Sequence, residues 1–162
     1  AGDVEGAVAA AEEEMLLLAR GMDRPEEGDR LPESTLLVLP AGGGKGFLSE
    51  YRALVHASWD VQERMSTLGL VGRLQQVLFH PRAVPSLYGE GGGDPEAEAA
   101  SYASRSPHPT LHFLREADIM RAVTSGYQQP ELIPQRNAAK LRGIGEERLR
   151  AMWASLVHTG DA

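Results

Sequence analysis

Cysteine is absent from the 162-residue sequence. A disulfide framework, a thiolate nucleophile and a cysteine-ligated zinc or iron–sulfur centre are therefore excluded. Long apolar runs are also absent, since none approaches the roughly 20 residues that a membrane-spanning helix needs. The first residues show no basic segment followed by an apolar core and a small-residue cleavage site, so no secretory leader is predicted.

Positive charge is in deficit, because 16 lysines and arginines stand against 23 aspartates and glutamates and leave a net charge of −7. Nucleic acid and anionic membranes recruit basic surfaces, so this balance disfavours both as partners. A Gly-x-Ser-x-Gly nucleophile elbow is also missing from the sequence. With no complete catalytic motif, the sequence leans towards a protein without enzymatic activity.

What is present is typical of a folded soluble protein, with 42% hydrophobic and 24% charged residues. The length suits one hydrophobic core, so a single domain over residues 1–162 is predicted. The apolar patterning predicts an α+β fold in which four to five helices pack on a small sheet with two recognisable strands.

The predicted elements follow from the spacing of apolar residues and from helix-ending residues. The first strand is continuously apolar, which predicts burial on both faces. Gly21 is predicted to end the first helix, and Pro109 to begin the third. Residues 83–104 are predicted to form an irregular loop rich in Gly and Ala, with one helical turn at 96–100. Helices are predicted at 3–20, 47–67, 109–125, 134–142 and 146–157, and strands at 35–39 and 74–79.

The stretch 105–123 concentrates two histidines, three arginines and two carboxylates in a segment that is apolar nearly all round a helical wheel. On the predicted helix, His112 and Glu116 share one face, while Asp118 lies three residues from an arginine on either side. Unpaired buried charges are strongly destabilising, so these groups need partners. Three interpretations stay open: a structural ion-pair network, a pocket for an anionic group, and an exposed helix face.

The same stretch suggests a metal site, since His108, His112 and Glu116 are spaced by four residues, as zinc ligands on a helix often are. His108 precedes Pro109, and a residue before proline is pushed out of helical conformation. No metal site is therefore predicted. The glycine-rich segment 40–46 follows a strand and precedes a helix, but it lacks the first glycine and the Ser or Thr of a phosphate-binding loop.

Several short motifs resemble a family of bacterial and plastid proteins that is defined only as a domain of unknown function. The motifs are Thr35-Leu36-Leu37-Val38 with Pro40, Phe79-His80-Pro81, Arg105-Ser106-Pro107 with Pro109, Leu111-His112, Leu114-Arg115-Glu116-Ala117, and Ile133-Pro134 with Arg136-Asn137. The resemblance covers about residues 35–145 and implies a compact α+β domain but no reaction. It also implies that four segments converge, namely those of His80, Arg105, His112 and Arg136.

The sequence departs from that family at its start and at one position of the main motif. Members usually begin with a Cys-Pro-Phe segment, a helix and a further strand, so this chain is expected either to be incomplete upstream or to have lost a strand. His108 stands where the family has tyrosine. The kinship favours the plastid stroma as the location, with the cytoplasm as the alternative.

Two functions are compatible with these observations. The first is a non-catalytic interaction module, an accessory component of a larger plastid or bacterial assembly, in which a partner strand meets an open sheet edge. The second is an enzyme or sensor for a small anionic metabolite, with His112 as acid or base oriented by Glu116 and arginines holding phosphate or carboxylate. No cofactor is predicted. The predicted ligand-binding residues are His80, Arg105, His112, Arg115, Arg136 and Asn137.

Overall fold

The computed structural model describes residues 2–23, 32–39, 47–84, 95–124 and 132–158. Within these ranges the chain forms six α-helices and a three-stranded antiparallel sheet, which confirms the α+β class. Short 3₁₀ turns at Phe47–Ser49 and Tyr102–Ser104 precede the second helix and follow the third. The helices are α1 (Gly2–Asp23), α2 (Tyr51–Thr67), α3 (Pro95–Ser101), α4 (Glu116–Thr124), α5 (Ile133–Ile144) and α6 (Glu146–His158), and the strands are β1 (Ser34–Val38), β2 (Leu74–Phe79) and β3 (Thr110–Arg115).

Helices α1 and α2 supply the helical half of the hydrophobic core. Their apolar side chains recur every three or four residues, so each helix buries one stripe. Met15 and Leu18 of α1 and Leu54 and Val61 of α2 are almost completely inaccessible to solvent. Burying one such side chain stabilises the fold by about 1.5–3 kcal/mol. Among the helices that the structure describes, none is both long enough and apolar enough to span a membrane.

The end of α2 sets the direction of the chain into β2. Gly69 has a φ of 67°, a left-handed conformation that favours glycine. The Gly69 N–H donates to the Ser66 carbonyl, and the Leu70 N–H donates to the Met65 carbonyl with an N···O distance of 2.9 Å. This is the Schellman arrangement, and the accompanying apolar contact is present because Leu70 and Met65 lie in the same buried cluster.

Strand β3 lies between β1 and β2, antiparallel to both. Two hydrogen bonds fix which backbone groups pair. The Leu39 N–H donates to the Pro109 carbonyl at one end, and the Glu116 N–H donates to the Arg73 carbonyl at the other. Antiparallel pairs alternate between bonded and non-bonded, so the odd-numbered residues of β3 bond β1 and the even-numbered ones bond β2. The β1 residues whose N–H and C=O groups point away from the sheet are Ser34, Leu36 and Val38.

The sheet has two different faces. The face against α1 and α2, here the inner face, buries Leu111 and Phe113 of β3 and Leu74 of β2 in the main core. The opposite face, here the outer face, carries His112 at its centre, because His112 is paired with a residue of β1 on one side and of β2 on the other. The outer-face side chains are Ser34, Leu36, Val38, Gln75, Val77, Phe79, Thr110, His112 and Leu114.

Helices α3, α5 and α6 pack against one another and form a second group. Ala99 of α3 and Leu149 of α6 are buried there, and the Tyr102 and Trp153 rings meet edge to face with centroids 6.4 Å apart. The turn between α5 and α6 uses Gly145, whose φ is 86°. Both helices were predicted, with ends that differ by one or two residues.

The third predicted helix, at 109–125, is wrong for its first part. Residues 110–115 form the central strand, and only Glu116–Thr124 is helical. The segment puts apolar side chains on both faces of the sheet, so it is apolar all round on a helical wheel as well, and periodicity alone does not separate the two cases. Pro109 is buried and its carbonyl accepts a strand hydrogen bond, so it begins a strand and not a helix.

Three smaller corrections concern β1, α1 and the loop. β1 is an edge strand with one exposed face, not a strand buried on both faces, because its only partner among the described strands is β3. α1 continues through Gly21 to Asp23. The predicted turn at 96–100 is confirmed and is part of α3, so the predicted loop 83–104 is helical from residue 95 to 104, while residues 85–94 lie outside the described ranges.

Candidate functional site

His80 is completely buried at the end of β2 and both of its ring nitrogens are engaged. Its Nδ1 accepts the backbone N–H of Arg82 at 2.9 Å, so the proton is on Nε2, which donates to the Leu48 carbonyl at 3.0 Å. Burial is the main cause that lowers the pKa of His80 below its ordinary value of 6.5. The neutral ring therefore connects β2 to the start of α2, and neither nitrogen is free to bind a ligand.

Arg105 holds the second helical group to the chain segment that enters β3. Its side chain is only 12% exposed, forms an ion pair with Glu98 of α3, and lies over the Tyr102 ring with the guanidinium carbon 4.0 Å from the ring centroid. The Nε–H is buried and has no hydrogen-bond partner among the described residues. A guanidinium stacked on an aromatic ring and paired with a carboxylate is a stabilising arrangement.

His112 lies at the centre of the outer face, between Leu36 of β1 and Val77 of β2. Its ring centroid is 6.3 Å from that of Phe79. Burial lowers the pKa of His112, so the neutral imidazole is favoured at neutral pH. Glu116 begins α4, four residues after a histidine that is in a strand, so the predicted shared helix face of His112 and Glu116 is wrong.

Arg115 and His112 lie on opposite faces of the sheet, because side chains alternate along a strand. The Arg115 guanidinium donates to the Pro32 carbonyl at 2.6 Å, and its Nε–H is buried without a partner among the described residues. Asp118 pairs with Arg121 at 3.0 Å. The Asp118–Arg121 pair of the ion-pair interpretation is therefore present, while Arg115 bonds the backbone ahead of β1.

The remaining predicted ligand residues, Arg136 and Asn137, are exposed on α5, in the same helical group as Arg105. His80 is on the inner side of the sheet and His112 on the outer side, so these two are not brought to one pocket. An anion site at any one of these residues stays a prediction. Within the ranges that the structure describes, no three His, Asp or Glu residues are grouped as metal ligands would be.

The most exposed apolar surface of the sheet was not predicted from the sequence. Leu36 is 60% exposed and Val38 is 48% exposed, and both belong to the edge strand β1. Three further apolar side chains, all partly exposed, lie on the same outer face: Leu114 on β3, and Val77 and Phe79 on β2. The alternation of Leu36 and Val38 with Leu37 is hidden in the sequence because all of these residues are apolar.

Comparison with known proteins places the chain in a family without assigning it a reaction. Searches of curated proteins and of solved structures gave no match. A family model described as "Protein of unknown function (DUF1415)" matches residues 1–151, which extends the resemblance beyond residues 35–145. The chain therefore belongs to this family of proteins of unknown function.

Proposed function

We propose that this domain is a non-catalytic interaction module that binds a partner protein by adding a strand of that partner to the free edge of β1. In this proposal the domain is an accessory component of a larger plastid or bacterial assembly. The single observation that carries the proposal is the state of β1, an uncharged strand with two strongly exposed apolar side chains and one edge that no described strand pairs with.

The backbone of β1 offers the hydrogen-bonding groups that strand addition needs. Its residues alternate, so Thr35 and Leu37 bond β3 while Ser34, Leu36 and Val38 direct their N–H and C=O groups to the free edge. An extended segment of a partner that lies beside β1 satisfies these groups and continues the sheet.

The side chains of β1 lack the features that normally keep an edge strand from pairing. Natural edges carry lysine, proline or a bulge, whereas β1 reads Ser34-Thr35-Leu36-Leu37-Val38 and pairs with β3 without a bulge. Leu36 and Val38, whose side chains are exposed, are also two of the three β1 residues whose backbone groups point to the free edge. One partner strand therefore meets both the hydrogen-bonding edge and the apolar border of the outer face.

Two of the groups that could perform chemistry are engaged in holding the fold, which supports a non-catalytic role. Both nitrogens of His80 bond backbone groups, and Arg105 is stacked on Tyr102 and paired with Glu98. Neither residue is free to act on a substrate without losing these contacts.

The experiment uses the whole chain as bait in cross-linking pull-downs from a native extract, with three variants. Leu36→Lys and Val38→Lys place a charge at the free edge, where it does not disturb the core. Met152→Lys is the control, because Met152 is 50% exposed on α6 and lies outside the sheet. The thermal midpoint of each variant is measured first, so that loss of binding is not mistaken for unfolding.

We expect the same partner to be recovered with the wild type and with Met152→Lys, and to be lost with both β1 variants. Protection of the Leu36 and Val38 amides from hydrogen exchange in the complex is the direct sign of strand addition. Recovery that is equal for all four proteins, or no protection at these amides, contradicts the proposal. Sedimentation velocity of the pure chain shows whether the partner is a second copy.

A further inference from the structure

The free edge of β1 is symmetric about its central residue, Leu36. Ser34, Leu36 and Val38 direct their backbone groups to this edge, so the outward-pointing residues lie at the middle of the strand and at its two ends. All residues of β1 are uncharged. Most soluble homo-oligomers are two-fold symmetric dimers, in which one patch of the surface meets the same patch on the second copy. A symmetric, uncharged edge strand meets this requirement.

One antiparallel register pairs every backbone group at the free edge. When two β1 strands lie antiparallel about a two-fold axis at Leu36, Leu36 faces Leu36 of the second copy, and Ser34 faces Val38. Residues that point to the same edge then exchange both of their hydrogen bonds. A shift by one residue sets the outward groups against residues that bond β3, and a shift by two leaves one end residue of each β1 unpaired. The symmetric register therefore forms the most hydrogen bonds.

The side chains are compatible with this register. On the outer face the two Leu36 side chains lie beside each other, and each Val38 lies beside Ser34 of the other copy. The most exposed apolar side chains of β1 thus gain neighbours. Glu33, the charged residue that precedes β1, is repeated at opposite ends of the pair, about 20 Å apart. This distance exceeds the screening length of about 8 Å at physiological ionic strength, so the acidic chain brings no like charges together at this edge.

The helices below the sheet leave room for the second copy. α1 packs against β1 and β3, while α2 packs against β2 at the other side of the sheet. A two-fold axis perpendicular to the sheet keeps both inner faces on one side, so each α1 lies beneath its own β1 and β3. The centres of these two strand pairs are two strand spacings apart, which is about 10 Å. Packed helices are separated by a similar distance, so the two α1 helices fit side by side.

We infer that β1 pairs with β1 of a second copy of this chain, in the antiparallel register centred on Leu36. The two sheets then form one continuous antiparallel sheet in the order β2-β3-β1-β1-β3-β2. This inference rests on the proposed strand addition at β1 and identifies the partner as a second copy. Neither β1 has a free edge in this dimer.

The first experiment uses the absence of cysteine from the chain. Leu36→Cys and Ser34→Cys each introduce one thiol at an exposed position of β1. The two thiols of Leu36→Cys lie on directly opposite residues, whose Cα atoms are about 5.5 Å apart, within disulfide range. Those of Ser34→Cys are about 14 Å apart, which is beyond that range. Mild oxidation should therefore link Leu36→Cys and the double variant Ser34→Cys/Val38→Cys into dimers, and leave Ser34→Cys unlinked.

The second experiment is sedimentation of the whole chain with charge at the self-facing position. Leu36→Lys and Leu36→Glu each place like charges opposite one another in a pure dimer, whereas an equimolar mixture places opposite charges there. Wild type and the control Met152→Lys should form dimers. Each pure Leu36 variant should dimerise more weakly by about tenfold or more, and the mixture should recover the dimer. Thermal midpoints are measured first to verify that every variant is folded.

Three results overturn the inference. One is a wild type that stays monomeric up to its solubility limit. Another is a disulfide yield that is equal for Leu36→Cys and Ser34→Cys, which means that the thiols meet at random. The third is a mixture of the two charge variants that is no more dimeric than its components. A monomeric wild type that still recovers another protein, with protected amides at Leu36 and Val38, overturns this inference alone, whereas failure of both experiments and of the pull-down overturns the proposed function as well.

Discussion

Replacement of His80 by alanine tests whether this residue is structural, as its contacts indicate, and not a ligand residue. The change removes a completely buried ring and leaves the buried Leu48 carbonyl without its donor. The unpaired carbonyl costs about 1–3 kcal/mol, and the lost ring contacts add a cavity term of roughly 2 kcal/mol. The Arg82 N–H is only partly buried and contributes less. The free energy of unfolding should fall by about 3–5 kcal/mol, which is a large part of the roughly 5–15 kcal/mol of a typical domain.

The pH dependence of this loss is part of the same prediction. Burial lowers the pKa of His80 in the folded state below 6.5, so between these two values the unfolded chain binds the extra proton. Stability from the neutral ring is complete above pH 6.5 and is lost as the pH falls through the folded-state pKa. His112 acts in the same direction. The difference between wild type and His80→Ala should therefore shrink with falling pH, by at most about 1.4 kcal/mol per pH unit.

The measurement is urea denaturation of the wild type, His80→Ala and His108→Ala between pH 5 and pH 7.5. His108 is exposed, so its replacement is the control and should change stability by less than about 0.5 kcal/mol. A loss below about 1 kcal/mol for His80→Ala, or a loss that does not depend on pH, refutes the assignment of His80 as a buried neutral connector.

The other predictions concern the edge strand β1, the buried Gln76 amide and two glycines. Leu37→Pro removes a hydrogen bond to β3 and should destabilise the fold by at least about 2 kcal/mol more in urea denaturation than Leu36→Pro, whose N–H points to the free edge. Gln76→Met should raise the free energy of unfolding in urea denaturation by about 1 kcal/mol, because the Gln76 amide is buried without a hydrogen-bond partner among the described residues; a loss of stability contradicts this. Gly69→Ala should lower the thermal midpoint, because alanine in the left-handed conformation costs about 1 kcal/mol of stability. Gly143→Ala should raise the thermal midpoint, because alanine in a helix is more stable than glycine by about 1 kcal/mol.

The elements predicted correctly are those in which the spacing of apolar residues and the residues that end helices or strands indicate the same structure. Gly69 ends α2 in the expected place, and the apolar spacing in α1 and α2 corresponds to stripes that are buried. The strand at Leu74–Phe79 was predicted with both ends correct. In these segments local propensity and tertiary contacts favour the same structure.

The part that could not be predicted depends on contacts far apart in the sequence. Residues 110–115 satisfy both helical and strand periodicity, and the choice is made by pairing with β1 and β2. The error in secondary structure also affected the candidate site. A helical period places Glu116 next to His112, whereas the strand places His112 and Arg115 on opposite faces of the sheet. The exposure of Leu36 depends on which strand is at the edge, and composition does not encode strand order.

The central position of β3 also determines when the sheet can form during synthesis. β1 and β2 emerge from the ribosome first and are not neighbours in the sheet, so neither has a described partner strand until residue 115 has been made. The pairing of β2 with β3 then spans 31–41 residues and that of β1 with β3 spans 72–80, so each closes a long loop before its hydrogen bonds are gained, which slows folding. During that interval β1 and β2 lack the strand that pairs with them, and unpaired strand edges make a partly folded chain prone to aggregation.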